Sequence, residues 1–344
     1  MQRCLTLAQL GAGNVAPNPL VGAVLVYKDV IIGEGYHQKY GEAHAEVNCI
    51  NSVCENNKWL IEKSTLYVSL EPCVHYGKTP PCAELILQYK IPHVVIGCSD
   101  SFEKVNGVGI ERLLKAGVKV EQGILEKECR NINKHFFIFH EKKRPYIILK
   151  WAQTKDGFIA NKNNSPIKIS NDYTNKIIHK LRSECAAILV GKNTVLYDNP
   201  SLTTRLWKGK NPVRIIIDET LSLNRSFKIF NDEATTIIIN RKKNEVVGSN
   251  IFYKIQVQTS IVDGVIECLN KLHLTSVIIE GGAKTIQYFV EANLWDEGFV
   301  ITNKTLVLKT GISSPKLNNG VLLHTKTIFS DSIEIYKQNN NEFL

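Results

Sequence analysis

Apolar and polar positions alternate in short blocks through the first 140 residues. The segments "LVGAVLVYK" and "VIIGEGYH" predict two strands joined at Lys28 and Asp29. The same pattern predicts strands at 64–70, 93–98 and 118–123, and helices at 1–10, 44–54, 81–90, 109–117 and 124–140. Strands that alternate with helices are typical of an α/β layered sandwich.

A polar connector, "HEKKRP" at 140–145, separates this block from a second α/β pattern. The second pattern predicts strands at 146–152, 186–191, 213–218, 234–240 and 276–282, and helices at 171–183 and 283–294. A chain of 344 residues is longer than one hydrophobic core usually serves. We therefore expect two α/β domains, 1–145 and 146–344.

Composition narrows the class of protein. Hydrophobic residues make up 44% of the chain and charged residues 22%, as in ordinary globular proteins. No apolar run approaches the roughly 20 residues that span a bilayer, and the first ten residues lack the apolar segment of a secretory signal. The chain has nine cysteines, and their spacing is not that of a small disulfide-rich protein. We therefore expect them to be thiols or metal ligands and not to form disulfides. We expect a cytoplasmic protein without a membrane partner.

The positive charge is concentrated in the second half of the chain. The net charge is +9; residues 1–145 hold 17 Lys and Arg against 15 Asp and Glu, and the remainder holds 25 against 18. A basic surface favours nucleic acid or a small phosphorylated ligand. A Lys-rich and Asn-rich composition alone explains the excess equally well.

The strongest chemical signal joins "HAE" at 44–46 to "EPCVHYGKTPPC" at 71–82. His44, Cys73 and Cys82 form the three-ligand set of a catalytic zinc site, which leaves the fourth position to water. Glu46 follows His44 by two residues, as in zinc deaminases, where this glutamate moves protons. Zinc lowers the pKa of its water to about 7, and a neighbouring carboxylate can carry the proton to the departing amine. The pattern predicts a hydrolytic deaminase with Glu46 as the catalytic residue.

A purely structural zinc site is the alternative, with Cys49, Cys54 or His75 as a fourth ligand. This alternative makes both Glu46 and the two Pro-Cys pairs coincidences, so we favour the catalytic site. Eight residues separate the two cysteines, where base deaminases usually have two. The longer spacer carries His75 and Lys78, which suit a polar pyrimidine and a phosphate.

The first half resembles the deaminase domain of the bifunctional enzymes of riboflavin biosynthesis. In these enzymes a diaminohydroxyphosphoribosylaminopyrimidine deaminase is fused to a 5-amino-6-(5-phosphoribosylamino)uracil reductase. The resemblance rests on "PNPLVG" (17–22), "GEGYH" (33–37), "GEAHAEVN" (41–48), "YVSLEPC" (67–73) and "GKTPPC" (77–82). It implies a cytidine-deaminase-like α/β/α sandwich, with Asn18, His75 and Lys78 at the substrate.

The second half contains "IIEGGAKT" at 278–285, a predicted strand that runs into two glycines and a helix. Such a turn can hold a pyrophosphate on the helix N-terminus, although a Gly-Gly pair alone is often only a tight turn. The fingerprint G-x-G-x-x-G is absent, which argues against an ordinary Rossmann domain.

Three further segments, 148–160, 181–205 and 211–218, extend the resemblance to the family's reductase domain, which has a dihydrofolate-reductase-like α/β fold and uses NADPH. The resemblance implies a substrate site of Lys150, Ser170, Arg182, Asp198, Arg205 and Glu280. It implies a cofactor site of Ala152, Lys168, Thr194, Asp198, Gly281 and Gly282. The two arginines suit the substrate phosphate because a guanidinium binds phosphate with two parallel hydrogen bonds.

The basic run at 241–243 directly follows the predicted strand 234–240. Ligands of open α/β sheets bind at strand ends, so we predict that Arg241 contacts the 2′-phosphate of NADPH. A solvated loop is the alternative for this run.

Two positions depart from the family. Phe102 stands where relatives usually carry an asparagine that contacts substrate, and Lys168 stands where they usually place a tryptophan against the cofactor.

We therefore expect a bifunctional enzyme that requires Zn²⁺ and NADPH. Its substrate is the small molecule 2,5-diamino-6-(5-phosphoribosylamino)pyrimidin-4(3H)-one, which it deaminates and then reduces to 5-amino-6-(5-phosphoribitylamino)uracil. Nucleic acid is not expected as a partner, and a homo-oligomer is compatible with the sequence. The alternative is a zinc deaminase of nucleic-acid bases with a basic binding domain.

Overall fold

The computed structural model describes residues 1–74, 76, 80–101, 106–163 and 167–339. The chain divides into two compact units, Met1–Lys143 and the described residues from Arg144 onward. Each unit has its own sheet and its own hydrophobic core.

The first unit is built on a five-stranded sheet of order β2-β1-β3-β4-β5. Its strands are β1 (Gly22–Tyr27), β2 (Val30–Tyr36), β3 (Thr65–Leu70), β4 (His93–Cys98) and β5 (Lys119–Gln122). Its helices are α1 (Gln2–Gln9), α2 (Ala45–Asn51), α3 (Cys82–Gln88), α4 (Val108–Lys115), α5 (Glu126–Ile132) and α6 (Lys134–Glu141), with a 3₁₀ helix at Glu55–Lys63. Strand β1 is antiparallel to β2 and β3, whereas β3, β4 and β5 are parallel.

Helices cover both faces of this sheet, as predicted for an α/β/α sandwich. Residues of α2, α3 and α4 form a core with the strands on one face, and residues of α1, α5 and α6 pack on the other. Helix α2 lies so close to β2 that a Cβ on Gly35 would come within 2.4 Å of the Cys49 nitrogen. Glycine is required here for this close approach, which fixes the start of α2 and therefore His44.

The single helix predicted at 124–140 is wrong: α5 and α6 are separate helices that meet at Asn133. The Asn133 side chain accepts a hydrogen bond from the Leu20 N–H at 2.7 Å and donates one to the Leu20 carbonyl at 2.8 Å. Asn133 itself lies at φ −108° and ψ 19°, outside helical geometry. A buried side chain that bonds a distant backbone thus ends one helix and begins the next, which apolar periodicity does not reveal.

The second unit is built on a ten-stranded sheet of order β11-β12-β10-β9-β8-β13-β6-β14-β17-β16, with a small sheet of β15 and β7. The strands are β6 (Tyr146–Gln153), β7 (Phe158–Ala160), β8 (Ala187–Gly191), β9 (Val213–Ile217), β10 (Thr236–Asn240), β11 (Glu245–Val247), β12 (Asn250–Lys254), β13 (Ser276–Gly281), β14 (Glu297–Asn303), β15 (Ile312–Ser313), β16 (Gly320–Ile328) and β17 (Asp331–Gln338). The helices are α7 (Asp172–Glu184), α8 (Lys192–Asp198), α9 (Ile261–Lys271) and α10 (Ala283–Glu291), with a 3₁₀ helix at Lys228–Phe230.

Parallel strands occupy the centre of this sheet, from β12 through β10, β9, β8, β13 and β6 to β14. Helices α9 and α10 share one core with this sheet, whereas α7 packs against β14 and β17. The five strands predicted from apolar runs are β6, β8, β9, β10 and β13, which are neighbours in the middle of the sheet. The remaining strands, together with α8 and α9, were not predicted.

A buried ion pair fixes the beginning of the second unit. Two guanidinium nitrogens of Arg144 lie 2.6 and 2.8 Å from the two carboxylate oxygens of Asp296, and the Ile147 N–H donates to the same carboxylate at 2.8 Å. The side chains are 14% and 1% exposed. The pair therefore joins the first residues of β6 to the chain just before β14.

Among the residues that the structure describes, no helix combines the length and apolar character needed to cross a bilayer.

Replacement of Asp296 by alanine should lower the free energy of unfolding by about 3 kcal/mol, because it leaves the partly buried Arg144 without its anion. Tryptophan fluorescence during urea unfolding measures this, since Trp151, Trp207 and Trp295 report on the second unit. Glu245→Ala is the matched control in the same unit: its pair with Lys243 is exposed, so the change should stay below about 1 kcal/mol. Equal changes in the two variants would contradict the assignment.

Candidate active sites

The three predicted zinc ligands meet at one edge of the first sheet. Cys73 follows the end of β3, His44 immediately precedes α2, and Cys82 is the first residue of α3. The His44 Nδ1 atom lies 3.5 Å from the Cys73 sulfur and 3.4 Å from the Cys82 sulfur. All three ligand atoms lie within 4.8 Å of one another.

These separations fit tetrahedral zinc. Zn–S bonds of about 2.3 Å and Zn–N bonds of about 2.1 Å place sulfur and nitrogen ligands about 3.6 Å apart in a tetrahedron. Hydrogen bonding with Cys82 lowers the pKa of the Cys73 thiol to about 4, and the same contact, together with burial, raises the pKa of Cys82. A bound zinc ion holds both groups as thiolates. Only three residues contribute to this set in the described part of the chain, as expected for a catalytic site.

Glu46 lies in the first turn of α2 and is 3% exposed. Burial raises the pKa of its carboxyl, and the negative charge of Cys73 raises it further. A carboxylate with a raised pKa accepts a proton more readily than an ordinary carboxylate, which is a property that a proton carrier needs.

Asn18, a predicted substrate residue, contacts His37, which the sequence analysis did not select. The His37 Nδ1 atom lies 3.0 Å from the Ala43 carbonyl and must donate to it, so Nε2 accepts from the Asn18 amide at 3.2 Å. The His37 ring meets the His44 ring edge-on at a centroid distance of 5.3 Å. Burial lowers the pKa of His37, so a neutral ring links the predicted substrate residue to the metal ligand.

Glu71, also unselected, precedes Cys73 by two residues and is 3% exposed. Its carboxylate accepts four backbone N–H bonds, from Asp100 at 3.1 Å, Gly107 at 3.0 Å, Gly109 at 2.9 Å and Ile110 at 3.3 Å. The side chain thereby caps α4 and holds the chain after β4 beside the metal ligands. The Pro-Cys motif drew attention to Cys73, but no sequence signal distinguishes a glutamate that binds backbone from a catalytic one.

Three predicted substrate residues of the second unit form one buried cluster. Glu280 on β13 accepts two hydrogen bonds from Arg182 on α7, both at 2.7 Å, and one from Lys150 on β6 at 3.4 Å. Their side chains are 6%, 12% and 13% exposed. Burial alone would raise the pKa of Glu280, but the charges of the two cations outweigh it and lower the pKa to about 2.

The predicted cofactor residues lie where neighbouring parallel strands end. Ala152 lies near the end of β6, and Gly281 ends β13 beside Val190 of β8. A Cβ on Gly281 would come within 2.9 Å of the Thr194 Oγ1 atom, so Thr194 packs against the glycine backbone. Gly282 precedes α10 and has no side chain to cap it. The first-turn N–H groups of α10 therefore suit a phosphate oxygen.

Arg205 and Asp198, two further predicted substrate residues, are exposed. His179, which was not predicted, lies one turn before Arg182 on α7, and its Nδ1 accepts from the Leu206 N–H at 3.4 Å. Burial and the charges of Arg182 and Arg205 lower the pKa of His179 to about 4. Partial desolvation by the surrounding protein raises the pKa of the Asp198 carboxyl, although the residue is exposed.

Two predicted cofactor residues already have partners inside their own unit. Lys168 is exposed and pairs with Asp172 at 2.6 Å. Arg241 donates to the Glu219 carboxylate and to the carbonyls of Gln256, Val257 and Thr259. Four of its five N–H donors are therefore engaged, and a phosphate contact by Arg241 stays a prediction.

Ser170 donates a hydrogen bond to the Asn175 side chain at 2.9 Å. Three residues singled out from the sequence, His75, Lys78 and Phe102, lie outside the described residues.

Replacement of Cys73 or Cys82 by serine should remove zinc, because a serine hydroxyl is a poor substitute for a thiolate ligand. Metal analysis should find about one zinc per chain in the wild type and a large loss in both variants. Cys54→Ser is the control, since Cys54 is an exposed free thiol outside the cluster. Normal zinc content in Cys73→Ser would show that the ligand set is different.

The lowered pKa of Glu280 predicts a specific sensitivity to acid. A carboxyl whose pKa is lower in the folded chain stabilises the fold above its ordinary pKa of 4.5 and loses this contribution as pH falls towards about 2. Between pH 5 and pH 3 the wild type should therefore lose about 2 kcal/mol more unfolding free energy than Glu280→Gln. Urea titrations at both pH values test this, and identical pH dependence would contradict it.

The two units match different families. Residues 1–98 match the cytidine and deoxycytidylate deaminase zinc-binding region, and residues 145–307 match the RibD C-terminal domain. The alternative of a basic nucleic-acid-binding domain is therefore not supported, because the basic second half of the chain matches the RibD C-terminal domain instead. The predicted fold class, with a cytidine-deaminase-like unit followed by a reductase unit, is confirmed.

Full-length relatives extend these matches. The riboflavin biosynthesis protein RibD of Aquifex aeolicus is 40% identical over 303 residues, which cover 86% of this chain and 83% of the relative. RibD of Synechocystis is 34% identical over 331 residues, covering 94% and 86%. A crystal structure from Thermotoga maritima, described as a diaminohydroxyphosphoribosylaminopyrimidine deaminase/5-amino-6-(5-phosphoribosylamino)uracil reductase, matches with a TM-score of 0.89 at 33% identity, covering 98% and 97%. This chain thus belongs to the RibD family of riboflavin biosynthesis, whose members join a zinc-binding deaminase domain to an NADPH-dependent reductase domain.

Proposed function

We propose that the first unit hydrolytically deaminates 2,5-diamino-6-(5-phosphoribosylamino)pyrimidin-4(3H)-one and that the second unit reduces the product to 5-amino-6-(5-phosphoribitylamino)uracil. The observation that carries this proposal is the buried Glu46 beside a His44, Cys73 and Cys82 cluster of tetrahedral dimensions. The substrates are those named for the Thermotoga maritima protein that this chain matches over 98% of its length.

In the deaminase unit, His44, Cys73 and Cys82 would hold a zinc ion, which would lower the pKa of a water molecule at the site. Glu46 is the group that would accept a proton from the nucleophilic water, pass it to the ring nitrogen and then protonate the departing amine, which leaves as ammonia. Asn18, held by His37, and the two spacer residues His75 and Lys78 are the proposed contacts with the pyrimidine and its phosphate. Glu71 acts on the same site indirectly, by holding the backbone around Asp100.

In the reductase unit, bound NADPH would supply the hydride for reduction of the ribosyl group to a ribityl chain. Glu280 keeps Arg182 and Lys150 in place, so that their remaining N–H donors point at an anionic substrate in a fixed geometry. Arg205 makes no hydrogen bond or ion pair with any described residue and suits the substrate phosphate.

The other proposed residues of this unit lie around that cluster. Ser170 and Asp198 complete the substrate contacts. The cofactor lies against Ala152, Lys168, Thr194 and the glycines Gly281 and Gly282, and Arg241 offers its one remaining N–H donor to the 2′-phosphate.

We further infer a cytoplasmic location and small-molecule partners. None of the nine cysteines, all of which are among the described residues, forms a disulfide, as expected for a reducing compartment.

Mass analysis of the products tests both reactions in one experiment. Without NADPH, the wild type should convert the diaminopyrimidine only to the deaminated ribosyl compound, and NADPH should carry it on to the ribityl compound.

Glu46→Gln keeps the shape of the side chain but cannot carry the proton, so deamination should fall by about 10² or more while zinc is retained. The same variant should still reduce substrate that is already deaminated. Deamination near the wild-type rate in Glu46→Gln would rule out this role for Glu46.

A further inference from the structure

The last three residues before α7, Ile169, Ser170 and Asn171, are tied down by side chains from distant parts of the chain. They end the connection that runs from β7 to α7, and its described residues contain no helix or strand. Ser170 lies at the centre of this tripeptide and belongs to the proposed substrate site. Whatever fixes the tripeptide therefore fixes where the Ser170 side chain begins, and the hydroxyl is oriented from there by its hydrogen bond to Asn175 at 2.9 Å.

Asn303, the last residue of β14, holds the first of these residues. Its side-chain amide donates to the Ile169 carbonyl at 2.6 Å, and Asn303 is 8% exposed. Its side-chain oxygen accepts the backbone N–H groups of Thr305 and Leu306 at 3.0 and 2.9 Å. Both ends of this amide are thus occupied, so its orientation is fixed.

Asp331, the first residue of β17, holds the third. Its carboxylate accepts the Asn171 N–H at 2.8 Å and the Ser330 hydroxyl at 3.0 Å, and the residue is fully buried. No cation among the described residues pairs with it. The favourable partner of this charge is the N-terminus of the 13-residue helix α7, where the backbone dipole stabilises a negative group.

Asn171 also returns a hydrogen bond, from its side-chain amide to the Ile328 carbonyl of β16 at 2.8 Å. The tripeptide is therefore bonded to three strands, β14, β16 and β17. Strands β16 and β17, which supply two of these three contacts, lie beyond residue 307, outside the segment that matches the RibD C-terminal domain.

We propose that Asp331 and Asn303 are positioning residues of the reductase, which hold the tripeptide 169–171 so that Ser170 is placed for the phosphoribosyl substrate. This proposal rests on the proposed function of the second unit. It assigns to the hairpin of β16 and β17 a task in catalysis besides closing the sheet. Displacement of a binding group by about 1 Å can cost a large factor in rate, so loss of either contact should weaken substrate use without removing any group that touches the substrate.

Variants that remove or keep single contacts separate this role from plain stabilisation of the fold. Asn303→Asp keeps the acceptor for Thr305 and Leu306 but replaces the donor to Ile169 by a carboxylate oxygen, which repels the carbonyl. Asp331→Ala removes the acceptor for the Asn171 N–H, whereas Asp331→Asn keeps an oxygen in the same place. Glu334→Gln is the matched control, because Glu334 lies on the same strand and contacts Tyr336 instead of the tripeptide.

The reductase should be assayed in the full chain with deaminated substrate and NADPH, and thermal unfolding followed by the fluorescence of Trp151, Trp207 and Trp295 serves as the control for a folded reductase unit. We expect Asn303→Asp and Asp331→Ala to raise the KM for the pyrimidine about 3- to 10-fold, the range for loss of one hydrogen bond. Asp331→Asn and Glu334→Gln should stay within about 2-fold of the wild type.

A double-mutant cycle with Ser170→Ala provides the decisive readout. If Asp331 acts through Ser170, Asp331→Ala should change the KM little once the Ser170 hydroxyl is gone. Additive effects, or a lowered melting temperature with an unchanged KM in both Asp331→Ala and Asn303→Asp, would overturn the proposal. Failure of the wild type to reduce the substrate would instead refute the proposed function itself.

Discussion

Parallel strands bring their carboxyl ends to one edge of a sheet, and the placement of both sites depends on this constraint. In the first unit, Cys73 and Asp100 come just after the neighbouring strands β3 and β4. In the second, Glu280 and Lys150 lie side by side on β13 and β6, and Gly281 lies beside β8. Residues far apart in the sequence meet because the backbone hydrogen bonds of the sheet set their spacing, and the helices beside these strand ends supply His44, Cys82 and Arg182.

Buried carboxylates are the second common feature, and the chain stabilises them in different ways. Glu280 is held by two cations, which lower its pKa to about 2. Glu71 is held by four backbone N–H groups, and Asp331 by a helix N-terminus and a hydroxyl. Around Glu46, the charge of His44 and the hydrogen bonds from its own backbone and from Cys82 do not outweigh burial and the charge of Cys73, so its pKa is raised. A buried carboxylate whose charge is only partly compensated costs free energy, and Glu46, the carboxylate proposed to carry protons, is in this state.

The sequence allowed the prediction of those features that are local in the chain. Buried parallel strands such as β8 and β13 are continuous apolar runs, and the zinc ligands are marked by residue type and by Pro-Cys pairs. The hairpin of β16 and β17 was missed because β16 is exposed almost throughout, so it has neither a buried run nor a clear alternation. Asn133, Glu71 and Asp331 were missed for a different reason: each acts through a hydrogen bond to a distant backbone, and no local pattern encodes such a contact. The role of Arg241 was inferred from its place at a strand end, yet its donors are largely used within the fold.

The missed residues and the predicted residues have different roles in the sites. Side chains that touch the metal are recognisable by type, because few residues can bind zinc or carry a proton. The side chains that hold them are ordinary Asn, Asp and Glu residues, and their value lies in where the fold places them. Asn303 and Asp331 show this most clearly, since neither lies near Ser170 in the sequence and both meet its neighbours through short, buried hydrogen bonds. A hydrogen bond in a water-excluded site constrains geometry more strongly than one at the surface. The C-terminal strands of the reductase unit therefore contribute to its site through position, although none of their residues was predicted to contribute through chemistry.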